Sequence, residues 1–283
     1  MAYEIKKLLP QNFPPLLREI TDPPDTLYLR GTLPPPPTKL LTVVGSRRMS
    51  RYGKDACEYL IKGLSGYSVG IVSGLALGID GVAHKAALAA GLHTIAVPGS
   101  GLADSVLYPR AHLSLAHEII ERGGALLSEM EPEEKAAPYT FPKRNRLMAG
   151  MSHAVLIIEA GVKSGTLITA RLATEYNRDL LVVPHSIFSE GGAGGHIFMG
   201  LGARPVRSAA DILDALDIVK EETKTLVHLT ENEKRLLDIL IEPMARDELV
   251  RLSNMPTSDV SILLIQMELR GLIAESMGEI RKN

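Results

Sequence analysis

The sequence predicts an α/β fold, with a doubly wound, mostly parallel sheet followed by a small winged-helix domain. Three observations predict it. From Leu40 onward strand-like and helical stretches alternate through most of the 283 residues, and strict alternation builds parallel sheets with helices on both faces. The strand-like runs, such as Ala154 to Ile158, are apolar without the every-second-residue pattern of a half-exposed strand, which suits strands buried on both faces. Beyond residue 227 the order becomes three short helices and a hairpin, the order of a winged helix-turn-helix.

Residues 1–37 are crowded with proline, including Pro14-Pro15, Pro23-Pro24 and Pro34 to Pro37. Proline lacks the amide donor and restricts the residue before it, so this region reads as turns and extended strap, with Leu27 to Leu29 as an edge strand. The main domain, 38–219, carries strands at Leu40 to Val44, Val69 to Val72, Thr94 to Val97, Ala125 to Leu127, Ala154 to Ile158 and Leu180 to Val183. Helices are expected between them near Arg51 to Leu64, Ile79 to Ala90, His112 to Arg122, Asn145 to Gly150 and Leu167 to Asn177. Pro205 to Arg207 and then Ala209 to Leu216 close the domain. A charged linker, 220–226, precedes the winged-helix region, 227–283, whose helices fall at Glu231 to Ile241, Arg246 to Leu252 and Thr257 to Arg270. Leu272 to Glu275 and Glu279 to Lys282 form its wing around Gly278.

Composition narrows the function. The formal net charge of -2 gives no general basic field, so nucleic-acid binding requires a local patch. Aromatic residues make up 4% and tryptophan is absent, so base stacking would rest on a few rings. The single cysteine, Cys57, excludes an internal disulfide and a thiolate metal cluster and reads as a buried small hydrophobe. No apolar run reaches membrane-spanning length and the first residues lack a signal-peptide core, so a cytoplasmic protein without membrane insertion is expected.

In open α/β sheets ligands bind beyond the carboxyl ends of the strands. There the sequence places Gly45-Ser46-Arg47-Arg48, Ser73-Gly74 through Gly78, Gly99 to Gly101 with Tyr108-Pro109-Arg110, and Gly161 to Thr166. The turn Glu159 to Thr166 opens a helix, so backbone N–H groups are expected to meet an anion there. Lys143, Arg144 and Arg146 read as a basic loop just upstream, with Tyr108, Tyr139 and Phe141 beside the cations. Phosphates with a few stacked bases are the ligand such a set suits. Gly45-Ser-Arg-Arg lacks the later glycines of the dinucleotide fingerprint, and no stretch matches the P-loop. Asp80 and His84 could form an acid and its orienter, although a helix cap is the simpler reading. His153, His185 and His196 have no metal-ligand spacing. Glu129, Glu159 and Glu175 are the carboxylates nearest the expected edge.

Several motifs in register resemble the DNA-processing protein A family, also called DprA or Smf. They are Ile20 to Asp25 with Leu27-Tyr28, Val43-Val-Gly-Ser-Arg47, Ser73-Gly-Leu-Ala-Leu-Gly-Ile-Asp80 with Ala83-His84, Gly101-Leu102, Tyr108-Pro109, Phe141-Pro-Lys-Arg-Asn-Arg146, and Ser164-Gly-Thr-Leu167 with Thr169-Ala170. The resemblance implies an extended Rossmann-like domain that binds single-stranded DNA, protects incoming strands during natural transformation and hands them to the RecA recombinase. It also implies a homodimer, with no cofactor, no metal and no catalytic residues. By position Arg47, Arg110 and Lys143 correspond to basic pocket residues. Gly45, Ser46, Ser73, Gly74, Asn145, Gly165 and Thr166 correspond to its floor, with Phe141 as a stacking ring. The loop from Pro184 to Gly202 departs from the family pattern, carrying extra glycines and His196 and Phe198 in place of asparagine and an aliphatic residue. The helix Thr257 to Arg270 has few side chains suited to groove reading, so the small domain reads as a protein-interaction or regulatory module.

The alternative is an enzyme, a nucleotide phosphoribohydrolase of the lysine-decarboxylase-like (LOG) type. Gly165-Thr166 followed by Glu175 imitates its glycine-threonine turn and glutamate, but Lys163-Ser164 stands where that family has paired glycines.

Overall fold

A computed structural model describes residues 4–162, 164–219, 229–276 and 278–282. The chain divides into two compact units, Met1–Lys220 and Glu221–Asn283, and the expected linker at 220–226 lies outside the described residues.

The strands of the larger unit are β1 (Ile5–Leu8), β2 (Leu27–Gly31), β3 (Lys39–Val44), β4 (Val69–Ser73), β5 (His93–Ala96), β6 (Ala125–Ser128), β7 (Ala154–Ile157), β8 (Asp179–Val182) and β9 (Arg204–Pro205). They form one sheet in the order β1-β2-β6-β5-β4-β3-β7-β8-β9. Neighbours from β6 to β9 run parallel, while β1 and β2 add an antiparallel margin. The expected doubly wound, mostly parallel sheet is therefore present.

The N-terminal region differs from the expected strap. β2 is an internal strand, paired on both sides and buried from Leu27 to Arg30. The edge belongs to β1, whose Lys6 and Lys7 are exposed; lysines on an edge strand discourage pairing with another chain. The strand expected at the edge over Leu27 to Leu29 is present but longer, and β1 on one side and β6 on the other make it internal.

Successive residues of β3 face opposite ways, as a strand requires. Leu41 and Val43 join a core with Cys57, Leu60 and Ile61 of helix α1 (Arg51–Lys62) and Ile79, Val82 and Ala83 of α2 (Ile79–Ala89). Cys57 is fully buried, and burial pushes its thiol pKa up. Leu40 and Val44 join the opposite core. After α3 (Leu113–Glu121), that side holds Leu147 and Met148 of α4 (Thr140–Met151) and Ala170 and Ala173 of α5 (Thr166–Glu175). Helix α3 covers Ala96 and Leu126 further along the sheet. Two further helices, α6 (Ala193–Gly200) and α7 (Ala209–Ala215), complete the unit.

The sequence places a basic loop before a helix at Asn145, but α4 already begins at Thr140. Pro142 lies in its first turn, where the amide it lacks would have no intrahelical partner. Because side chains on a helix rotate by about 100° per residue, the three cations diverge. Lys143 is exposed, Arg144 is buried, and Arg146 pairs with Glu129 at 2.5 Å.

The smaller unit contains α8 (Glu231–Ile239), β10 (Met244–Ala245), α9 (Arg246–Ser253), α10 (Thr257–Leu269), β11 (Ile273–Ser276) and β12 (Glu279–Lys282). Its core joins Leu236, Leu249, Val260, Leu264, Met267, Ile273 and Ile280. Thr230 and Glu233 cap α8 reciprocally, with the Thr230 N–H donating to Glu233 at 2.7 Å. The short β10, unanticipated in the sequence, makes the wing a three-stranded sheet in the order β10-β12-β11.

Candidate functional site

The chain runs outward from β3 through β4 and β5 to β6, then returns to lay β7 on the other side of β3. That reversal is the topological switch point, where the loops after adjacent strands part and leave a crevice. A cleft of about 670 Å³ occupies it, lined by the loop after β3, the loop after β7 and the first two turns of α4.

Local capping fixes both loops. Ser50 caps α1 by accepting the Gly53 N–H at 3.0 Å, and Glu159, at the end of β7, accepts the Ser50 hydroxyl at 2.6 Å. After β7, Ser164 Oγ accepts the Thr166 N–H at 3.2 Å. The Leu167 and Ile168 N–H groups donate to the Ser164 and Gly165 carbonyls. Of the amides expected to cradle an anion at the start of α5, those of Thr166, Leu167 and Ile168 are already engaged by the turn itself.

The floor contains Asp80 and Arg144, both buried. Asp80 Oδ2 accepts the Gly74 and Ala76 N–H groups at 3.1 and 3.3 Å, tying the loop after β4 to α2. Gly78, which precedes α2, has φ +81, and a side chain there would also meet the Ser46 carbonyl. Burial pushes the Asp80 carboxyl above its ordinary range, opposed by Arg144 and the two amides. Arg144 donates to the Val97 carbonyl at 2.5 Å, and its guanidinium lies across Gly74, where an added Cβ would stand 1.7 Å from Nη1. Asp80 and His84 do not pair, because the His84 ring meets Thr94 Oγ1 at 2.7 Å.

Exposed Arg47 and Arg48 line the cleft. The Arg47 guanidinium sits 5.1 Å from the centre of the Phe141 ring, within cation–π range, and Tyr108 packs edge-on to the same ring at 5.9 Å. Gly45, Ser46, Arg47, Phe141, Asn145, Gly165 and Thr166 all line the cleft. Gly74 lines a smaller hollow beside it that shares Arg47 and Phe141. Ser73 is fully buried and donates its hydroxyl to the Val43 carbonyl at 2.7 Å, so it offers a ligand nothing. Arg110 and Lys143 lie outside the lining. Arg110 is exposed and donates to the Asp104 carbonyl at 2.7 Å, while the Lys143 ammonium stands 5.8 Å from the Tyr139 ring.

Asp80 and Arg144 were missing from the expected site. The signal for Arg144 was present in the Phe141 to Arg146 motif but was read as a loop. Among the described residues lining the cleft, Asp80 is the sole carboxylate. Glu159 is engaged by Ser50, Glu129 by Arg146, and Glu175 is exposed at the far end of α5 from Thr166. The last placement removes the glutamate on which the phosphoribohydrolase alternative depends. No group of three His, Cys, Asp or Glu side chains among the described residues could hold a metal ion. No helix among them is long and apolar enough to cross a membrane.

Comparison with known proteins adds the following. The family model described as DNA recombination-mediator protein A matches residues 6–217, and the DprA winged helix domain matches residues 220–279. Protein Smf of Escherichia coli is 35% identical over 277 residues, spanning 94% of this chain and 74% of that protein. The DNA processing protein DprA of Streptococcus pneumoniae is 41% identical over 206 residues, 73% of this chain and 72% of the relative. Its crystal structure matches with a TM-score of 0.70 at 38% identity over 75% of each chain. DNA processing protein A from Helicobacter pylori, whose structure describes its single-stranded DNA binding mode, matches with a TM-score of 0.66. That match has 29% identity and covers 76% of this chain and 96% of the other.

Proposed function

The chain belongs to the DNA recombination-mediator protein A family, and from that premise we propose that it binds single-stranded DNA in the switch-point cleft and passes the strand to a RecA recombinase without chemical turnover. The observation that carries this reading is the cleft itself. Arg47 and Arg48 stand at a sheet edge beside a Phe141 ring accessible from the cleft, the combination that tracks a phosphate backbone while stacking bases. Exposed Lys143 and Arg110 lie beyond the lining and serve as rim contacts that extend the track. The relatives' names, DNA processing proteins, support the same class of substrate, and the Helicobacter pylori structure supports single strands in particular.

In this reading the protein acts in the cytoplasm as a homodimer, protecting incoming strands during natural transformation or recombination. The winged helix serves protein contacts rather than groove reading. Its helix α10 exposes Ile262 and Ile265, apolar side chains of the kind that favour a protein partner over phosphate. Stimulated RecA filament formation on strands precoated with a single-strand-binding protein tests the hand-over, and sedimentation tests the dimer.

For binding, Arg47→Ala should weaken retention of every single-stranded sequence alike and lower the salt slope by about 0.7, one phosphate's share. Lys143→Ala should act in the same way but less strongly, as a rim contact. Unchanged retention by both variants in a filter or anisotropy assay would move the site to another face.

A further inference from the structure

A second cavity, of about 470 Å³, opens at the end of the sheet opposite the cleft. Leu40 near the start of β3, Met151 at the end of α4 and His153 just before β7 mark its place. Its floor is apolar and buried, since Phe13, Leu40, Ile95 and Met151 are each no more than 6% exposed. Its walls are prolines from two segments of the N-terminal region, Pro14-Pro15 and Pro34 to Pro37. A proline ring fixes φ and leaves no amide N–H, so these walls offer no donor and resist closing over the space between them. A cavity held open in this way spares a ligand the cost of ordering it, and small-molecule sites have volumes of about 300–1,000 Å³.

The polar side chains of the lining give the ligand its sign. Thr38 is committed, donating its hydroxyl to the Pro35 carbonyl at 2.6 Å, and Asn12 is exposed at the margin. Lys39 and His153 remain. Among the described residues the Lys39 ammonium has no ion pair and no hydrogen-bond acceptor. His153 Nδ1 accepts the Leu40 N–H at 3.1 Å. Burial, and then the nearby Lys39 charge, push the His153 pKa down, so the ring is neutral at pH 7 and carries its proton on Nε2. That N–H donates to no described residue. No Asp or Glu lies in the described lining. One ammonium and one N–H match the two oxygens of a carboxylate, whereas a phosphate monoester brings a third oxygen and a second charge that they would leave unmet. The apolar floor and walls reject a hydrophilic acid, whose polar body would lose its hydrogen bonds to water there.

We propose that this cavity binds a small monocarboxylate with an apolar body, of the medium-chain fatty-acid class. Its chain lies on Phe13, Leu40 and Met151, and its carboxylate meets the Lys39 ammonium and His153 Nε2. The site is separate from the cleft and does not depend on single strands binding there.

The test varies the head group and keeps the chain. The full-length protein is titrated calorimetrically at pH 7 with octanoate, 1-octanol and octylammonium, which share one alkyl chain and differ in charge. Octanoate should bind about tenfold tighter than octanol, the share of one charge-assisted hydrogen bond, and octylammonium should bind most weakly. Lys39→Met, at a partly exposed side chain that holds no partner, should remove the preference for octanoate and leave octanol binding unchanged. Leu33→Trp, which fills the cavity from its half-buried rim, should abolish binding of both in a protein that still melts cooperatively. Octanol or octylammonium binding the native chain as tightly as octanoate would overturn the proposal. So would an octanoate affinity unchanged by Lys39→Met.

Discussion

Gly74→Ala should disturb the cleft more than its size suggests. A methyl group there would stand 1.7 Å from Arg144 Nη1, so the guanidinium must leave the floor, at a cost of about 1–3 kcal/mol for an overpacked site. Urea unfolding reads the stability loss, and a parallel loss of single-strand affinity is expected. His84 makes a different prediction. It is fully buried against Thr94, and desolvation pushes its pKa down to about 3. The unfolded chain binds a proton near pH 6.5 while the folded one does not, so stability is complete above that value and falls as pH drops toward 3. The stability advantage of the native chain over His84→Gln should shrink by about 2 kcal/mol between pH 7 and 5, measured by urea titration at both values. At this scale the sequence shows Gly45, Arg47, Gly165 and Thr166 well, because turns at strand ends have a recognisable chemistry. It hides Arg144, since whether that side chain faces solvent or the floor depends on where its helix starts, and Pro142 concealed that start. Asp80 sits on a helix whose start is legible, but the loop after β4 that turns back onto its carboxylate is seen only in the fold.

Among the elements, the central strands are legible because unalternating apolar runs of that length suit little else. β1 and β10 are not, being short and defined by partners distant in sequence. β2 is legible as a strand but not as an internal one, because its place comes from β6 and β1 on its two sides. The winged-helix unit shows the same division, with its helices plain from their apolar spacing and its third strand visible only in the fold. That unit has its own core, built from Leu236, Leu249, Val260 and Ile280 among others. The larger unit likewise keeps its cores without it. A chain ending at residue 219 should therefore fold and retain most single-strand affinity, while losing any stimulation of RecA filament growth. Collapse of single-strand affinity on truncation, in a protein that still unfolds cooperatively, would place the DNA site in the winged helix.

For the whole molecule, alternation of strand and helix announces a sheet edge but not which loops meet there. Strand order decides that, and here it brings the loop after β3 against the loop after β7 and sets the end of β5, whose following loop carries Arg110, two strands away from β3. Arg47 and Thr166 consequently share a cleft while Arg110 stands outside it. The central claim is that this cleft holds a single strand by its phosphates and admits an unpaired base. The most direct measurement is a competition between a labelled single strand and unlabelled duplex of the same sequence, repeated across a salt series. The account predicts that duplex competes weakly at every salt concentration and that single-strand affinity falls at roughly -0.7 per phosphate neutralised. Equal competition by duplex, or affinity indifferent to salt, would contradict it.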